Sequence, residues 1–139
     1  MSITVYDKSK YHSDSRDFPR ELPASQASVH IGFFLRWLIE HGLTGTEWRS
    51  DFESEVAATL AGAMSPSELV DRTGGVLTSD MLTRDGKAFV DRYYGDYLRD
   101  YEALFAGERK TIYEVEDSRE NYNRVRHLLD AVIKRWEEQ

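Results

Sequence analysis

Four histidines, His12, His30, His41 and His127, are the side chains best equipped for chemistry near neutral pH. Their spacing limits what they can do. His30 and His41 fall eleven residues apart on one apolar helical segment. That separation is about three turns, or roughly 16 Å along the axis, so the two cannot share an ion through that helix alone. His127 projects from the polar side of the last predicted helix and reads as solvated. No His-Glu-x-x-His or comparable ligand spacing occurs, so no metal and no cofactor is expected. His30 lies near a predicted helix N-terminus, which favours the neutral ring. It reads as a buried histidine satisfied by hydrogen bonds. The alternative is a small enzyme or ligand-binding domain with a pocket built around His30 and the arm residues Tyr11 and Asp17.

Other catalytic patterns are missing. There is no cysteine, which excludes thiolate metal sites, disulfides and a cysteine nucleophile. No nucleophile elbow, phosphate loop or dinucleotide fingerprint is present. Carboxylates are abundant, and two clusters stand out: Asp51, Glu53 and Glu55, and then Glu114, Glu116 and Asp117. Such clusters read as solvated surface or as a patch that steers a basic partner. The tyrosines have two readings as well. An aromatic helix face is core first, but Tyr94 and Tyr101, at the edges of the stripe, are candidate contact residues for a partner. Pairing through this face would make a homodimer or a homo-oligomeric adaptor.

Length and charge bound the function. The 139 residues suit one domain. The formal net charge is -7, from 25 acidic and 18 basic residues. Such a chain is repelled by nucleic acid and by anionic lipid, so neither is expected as a partner. The first residues lack a basic region followed by an apolar run, and the longest mostly apolar stretch, 29–39, is too short to span a membrane. A cytoplasmic protein is expected.

The elements that must position these residues follow from hydrophobic periodicity. Residues 1–24 form an ordered arm with an extended start at Ile3 and Val5. Residues 25–139 form the helical part. The spacing predicts a helix over 25–41, apolar nearly all round, which places it at the centre. A second helix over 46–61 carries the stripe Trp48, Phe52, Val56 and Leu60. Ser65-Pro66-Ser67-Glu68 starts a short helix that Gly74-Gly75 stops. A long helix over 85–105 has an aromatic half, with Gly95 as a possible kink and Asp100 at the edge of that half. Residues 111–115 alternate like an extended piece, and Asp117 is read as the cap of the final amphipathic helix. The fold class is therefore all-α or mainly α: an irregular bundle of about five helices around an apolar central helix, with an extended N-terminal arm.

Lys10-Tyr11-His12, Asp17-Phe18-Pro19 and His30-Ile31-Gly32-x-Phe34-Leu35-x-Trp37 together resemble a family of small uncharacterised bacterial domains. The likeness extends through Met81-Leu82-Thr83 and Tyr93-Tyr94 to Tyr101. Some such domains resemble immunity proteins of secreted antibacterial toxins. The resemblance implies no activity and no transferable contact residue. It implies that Trp37 is a core anchor, that His30 bonds to the arm through Asp17 or Tyr11, and that Gly32 lets another backbone pack closely. With the acidic balance, it leads to an expected function: an immunity protein that binds a cognate toxin with a basic contact surface and occludes its active site.

Overall fold

Residues 29–39 are interior on every side. In the computed structural model, which describes residues 2–108 and 111–138, each of them is buried, including His30 and Arg36. They belong to helix α2 (Val29–Glu40). The expected helix start at residue 25 is tightened into a 3-10 turn, Ala24–Ser28, behind the extended Pro23. Gly42 (φ +67°) ends α2 in the left-handed conformation that glycine adopts freely. Leu43 N–H then returns to the Leu38 carbonyl at 2.9 Å.

The remaining elements pack around α2. They are β1 (Val5–Lys8), α1 (Ser9–Ser13), α3 (Thr46–Asp51), α4 (Glu53–Leu60), α5 (Pro66–Arg72), β2 (Val76–Thr78), α6 (Arg84–Leu104) and α7 (Arg119–Glu137). The molecule is thus mainly α-helical with one two-stranded antiparallel sheet, β1–β2. No described helix is long and apolar enough to cross a membrane.

Gly32 sets the closest approach. A Cβ there would lie 2.4 Å from the Pro66 carbonyl carbon and oxygen, so α5 can rest on α2 only over a glycine. Ser65 caps α5 by accepting the Glu68 N–H at 3.3 Å, with Pro66 in the first turn, as expected. Gly74 and Gly75 then take positive φ and turn the chain into β2.

Several expectations are corrected. The helix over 46–61 breaks at Phe52 (φ −118°, ψ 32°) into α3 and α4. The stripe stays on the core across the break, with Trp48 and Val56 buried and Phe52 partly buried against the core, and leaves it only at Leu60, 42% exposed at the end of α4. Helix α6 runs through Gly95 without interruption. Its aromatic half packs on α2, with the Tyr97 ring 4.7 Å from that of Phe34. Tyr94 and Tyr101 are interior residues and offer no contact surface to a partner. Pairing of two copies through this face would compete with the chain's own core. Residues 112–114 form a 3-10 turn, not an extended piece. The cap of α7 is Ser118, which accepts the Asn121 N–H at 3.1 Å. Asp117 instead accepts from the backbone and hydroxyl of Ser67 (3.1 and 2.5 Å), which ties the α7 entrance to α5. Trp37 is fully buried and donates its indole N–H to Asp130 at 2.9 Å, so the core-anchor expectation agrees with its surroundings.

Candidate functional site

Three segments deliver three ionisable side chains to one point. Along β1 only Asp7 is buried. The ladder with β2 loses its register between Val5 and Asp7, and such an irregularity re-aims a side chain. Helix α1 follows β1 directly, held by the Ser9 N–H to the Gly75 carbonyl (2.9 Å), and its His12 folds back toward Asp7. The first turn of α2 supplies His30. His12 Nε2 lies 2.7 Å from Asp7 Oδ1, and His30 Nε2 lies 3.2 Å from Asp7 Oδ2. The two Nε2 atoms are 3.2 Å apart, and the rings meet edge to face with centroids at 4.4 Å.

A second layer holds these groups in place. The Tyr113 hydroxyl is 2.8 Å from His12 Nδ1. Tyr94 donates to Asp7 Oδ2 at 2.6 Å, and the Lys8 N–H donates to Asp7 Oδ1 at 2.9 Å. Gln26 donates to the carbonyls of Tyr113 and Val115, which fixes the segment carrying Tyr113 beside α2. Tyr97 donates to the His30 carbonyl at 2.7 Å. Asp7 and His30 are almost fully buried, and His12 closes the outer side with 14% of its side chain exposed.

The charge states follow from burial and bonding. Burial by itself would raise the Asp7 carboxyl, but the hydrogen bonds with His12, His30 and Tyr94 outweigh it and hold the group well below the usual carboxylate range. Burial pushes the His30 imidazole down, against the pull of Asp7, and the ring is neutral near pH 7. Burial raises the Tyr94 hydroxyl well above its ordinary value, with the Asp7 charge adding to the effect, so Tyr94 acts as a donor.

The arm therefore does reach His30, but through Asp7 and His12. Tyr11 is 59% exposed and Asp17 is exposed, so neither belongs to the cluster. Asp7 and His12 are the residues that sequence reasoning misses. Their spacing crosses a strand-to-helix junction and matches no period of either element. A buried aspartate in an otherwise half-exposed strand has no marker in the one-dimensional pattern.

His30 lines none of the surface hollows at α3–α4, α6–α7, the α5–α7 entrance or the arm. The hollow along α3 and α4 has a volume of about 470 Å³ and an apolar floor of Val56, Ala57 and Leu60. Glu53 is exposed and lines it; Asp51, also exposed, and Glu55, half-buried, do not line it. Of the second acidic cluster, Glu116 is exposed, Glu114 accepts the Thr111 N–H at 2.8 Å, and Asp117 serves α5.

A family model described as "Domain of unknown function (DUF7832)" matches residues 5–115. The chain belongs to this family. The match spans β1 through the turn at Ile112–Glu114, so every residue of the Asp7 cluster falls inside it, and α7 falls outside. No curated protein and no solved structure matches the chain.

Proposed function

We propose that this DUF7832 member is a protein-binding domain of the immunity type, which neutralises a cognate toxin in the cytoplasm by covering its active site. The observation that carries the reading is the α3–α4 hollow. Its floor is apolar, with Leu60 left 42% exposed. Glu53 and Arg49 stand at its edge, and the same two helices carry three more acidic groups, Glu47, Asp51 and Glu55. An apolar centre inside a charged rim is the layout of recognition surfaces. The fitting occupant is a basic protein surface that presents one apolar side chain to the floor. The acidic excess of the two helices would speed encounter and make the on-rate fall with salt. The mechanism is occlusion. The enclosure of His30 gives no support to an open catalytic pocket at that residue.

Titration calorimetry with the protein encoded beside this chain tests the reading. The expected result is a tight complex that abolishes the neighbour's toxicity. Leu60→Asp and Glu53→Lys should each weaken it at least tenfold, about 1.4 kcal/mol or more. A neighbour without toxicity, or a complex insensitive to both substitutions, would remove the case.

A further inference from the structure

We propose that Asp7, His12 and His30 form a binding site for a divalent transition-metal ion, with zinc the ion that suits the donor set. The first argument is geometric. Each residue offers one ligand atom, and these atoms lie within 4.8 Å of one another. His12 Nε2 lies 2.7 Å from Asp7 Oδ1, His30 Nε2 lies 3.2 Å from Asp7 Oδ2, and the two Nε2 atoms are 3.2 Å apart. Donors that sit 2.0–2.1 Å from a tetrahedral zinc ion are about 3.3 Å apart; the two Nε2 atoms match one edge of such a tetrahedron, and an Asp7 oxygen lies beside each of them. Two imidazoles and a carboxylate are donors that first-row divalent ions accept, unlike the all-oxygen sets of magnesium and calcium.

The second argument is the orientation of the histidines. Both present Nε2 to the same point, at a mutual distance of 3.2 Å. An ion between them would replace the two hydrogen bonds to Asp7, each ring then carrying its proton on Nδ1 and turning the Nε2 lone pair to the metal. The other ring nitrogen of His12 lies 2.8 Å from the Tyr113 hydroxyl, which can accept an Nδ1–H and so holds the direction of a metal-bound ring. Tyr94 and the Lys8 N–H fix the carboxylate in the same way.

With three protein ligands, the ion keeps a coordination position for solvent, which would enter on the His12 side, where the cluster is least covered. The consequence for the fold is a clasp: one ion would join β1, α1 and α2.

The experiment uses the full chain, stripped with a chelator and titrated with zinc chloride against a chromogenic competitor, then with cobalt chloride as a spectroscopic stand-in. One equivalent should bind, and cobalt should give the visible absorption of a nitrogen–oxygen site of low coordination number. His12→Ala, which truncates the outermost ligand, should weaken binding at least tenfold while circular dichroism stays native. Tyr113→Phe, which leaves all three ligands in place, should weaken it by about tenfold. Failure of the wild-type chain to take up zinc or cobalt would show a purely hydrogen-bonded triad and overturn the proposal. Undiminished binding by His12→Ala would place the ion elsewhere and overturn it equally. Should His12→Ala not fold, the wild-type cobalt spectrum and Tyr113→Phe decide.

Discussion

Two glycines in helices show how differently one residue type can matter. A Cβ on Gly32 would be driven to 2.4 Å from the Pro66 backbone, and no flexible side chain is there to yield. Gly32→Ala should therefore destabilise the protein by about 1–3 kcal/mol or more, since α2 and α5 must separate. Gly95 lies mid-way along α6 on its exposed side, and a methyl group added there would meet nothing within 4 Å. Gly95→Ala should stabilise by up to about 1 kcal/mol through helix propensity. Urea unfolding of the two variants measures both, and equal effects would contradict the packing described. The close backbone approach at Gly32 is legible in the sequence, through the motif that carries the family resemblance. A bonded, buried His30 is legible too, but its partners are not. Asp7 and His12 are distant from His30 in sequence, and the turns that fold them back are set by pairing with β2, a strand too short to leave a pattern.

At the scale of elements, the long periodic segments are legible and the short ones are not. Helices α2, α6 and α7 each carry an apolar arc repeated over several turns, and that repetition outweighs local ambiguity. Strand β2 has three residues and α1 has five, too few for any period to register. The break at Phe52 leaves no trace because Trp48, Phe52 and Val56 stay on the core side across it, so the four-residue spacing is undisturbed. Capping is half legible. Asp117 and Ser118 are both competent caps, and tertiary contact decides: Ser67 recruits Asp117, which leaves Ser118 for α7. Ser118→Ala should cost about 1 kcal/mol through the α7 N-terminus. Asp117→Ala should act on α5 instead, with hydrogen exchange rising at the Ser67 amide and not in the first turn of α7. Early exchange in α7 for the Asp117 variant would restore the sequence-based cap.

For the whole molecule, the arm is a structural layer, not an appendage. It adds a strand to β2, a helical turn against the 3-10 turn before α2, and two of the three side chains at the buried cluster. A chain with an acidic exterior and an apolar α2 gains little by burying ionisable groups unless they are compensated, and Asp7 is compensated from four directions. Saturating zinc should therefore raise the melting temperature by several degrees, since a ligand at one hundred times its dissociation constant contributes about 2.7 kcal/mol. A scanning-fluorimetry series with and without chelator reads this directly. The proposed recognition surface at α3–α4 lies on elements other than those that build the cluster, so zinc removal should lower stability more than intrinsic partner affinity. The most direct test of the clasp is anomalous diffraction at the zinc edge from crystals grown with zinc chloride. A peak is expected about 2.0–2.1 Å from Nε2 of His12, Nε2 of His30 and a carboxylate oxygen of Asp7. A well-ordered cluster with no anomalous peak between those atoms would contradict the clasp.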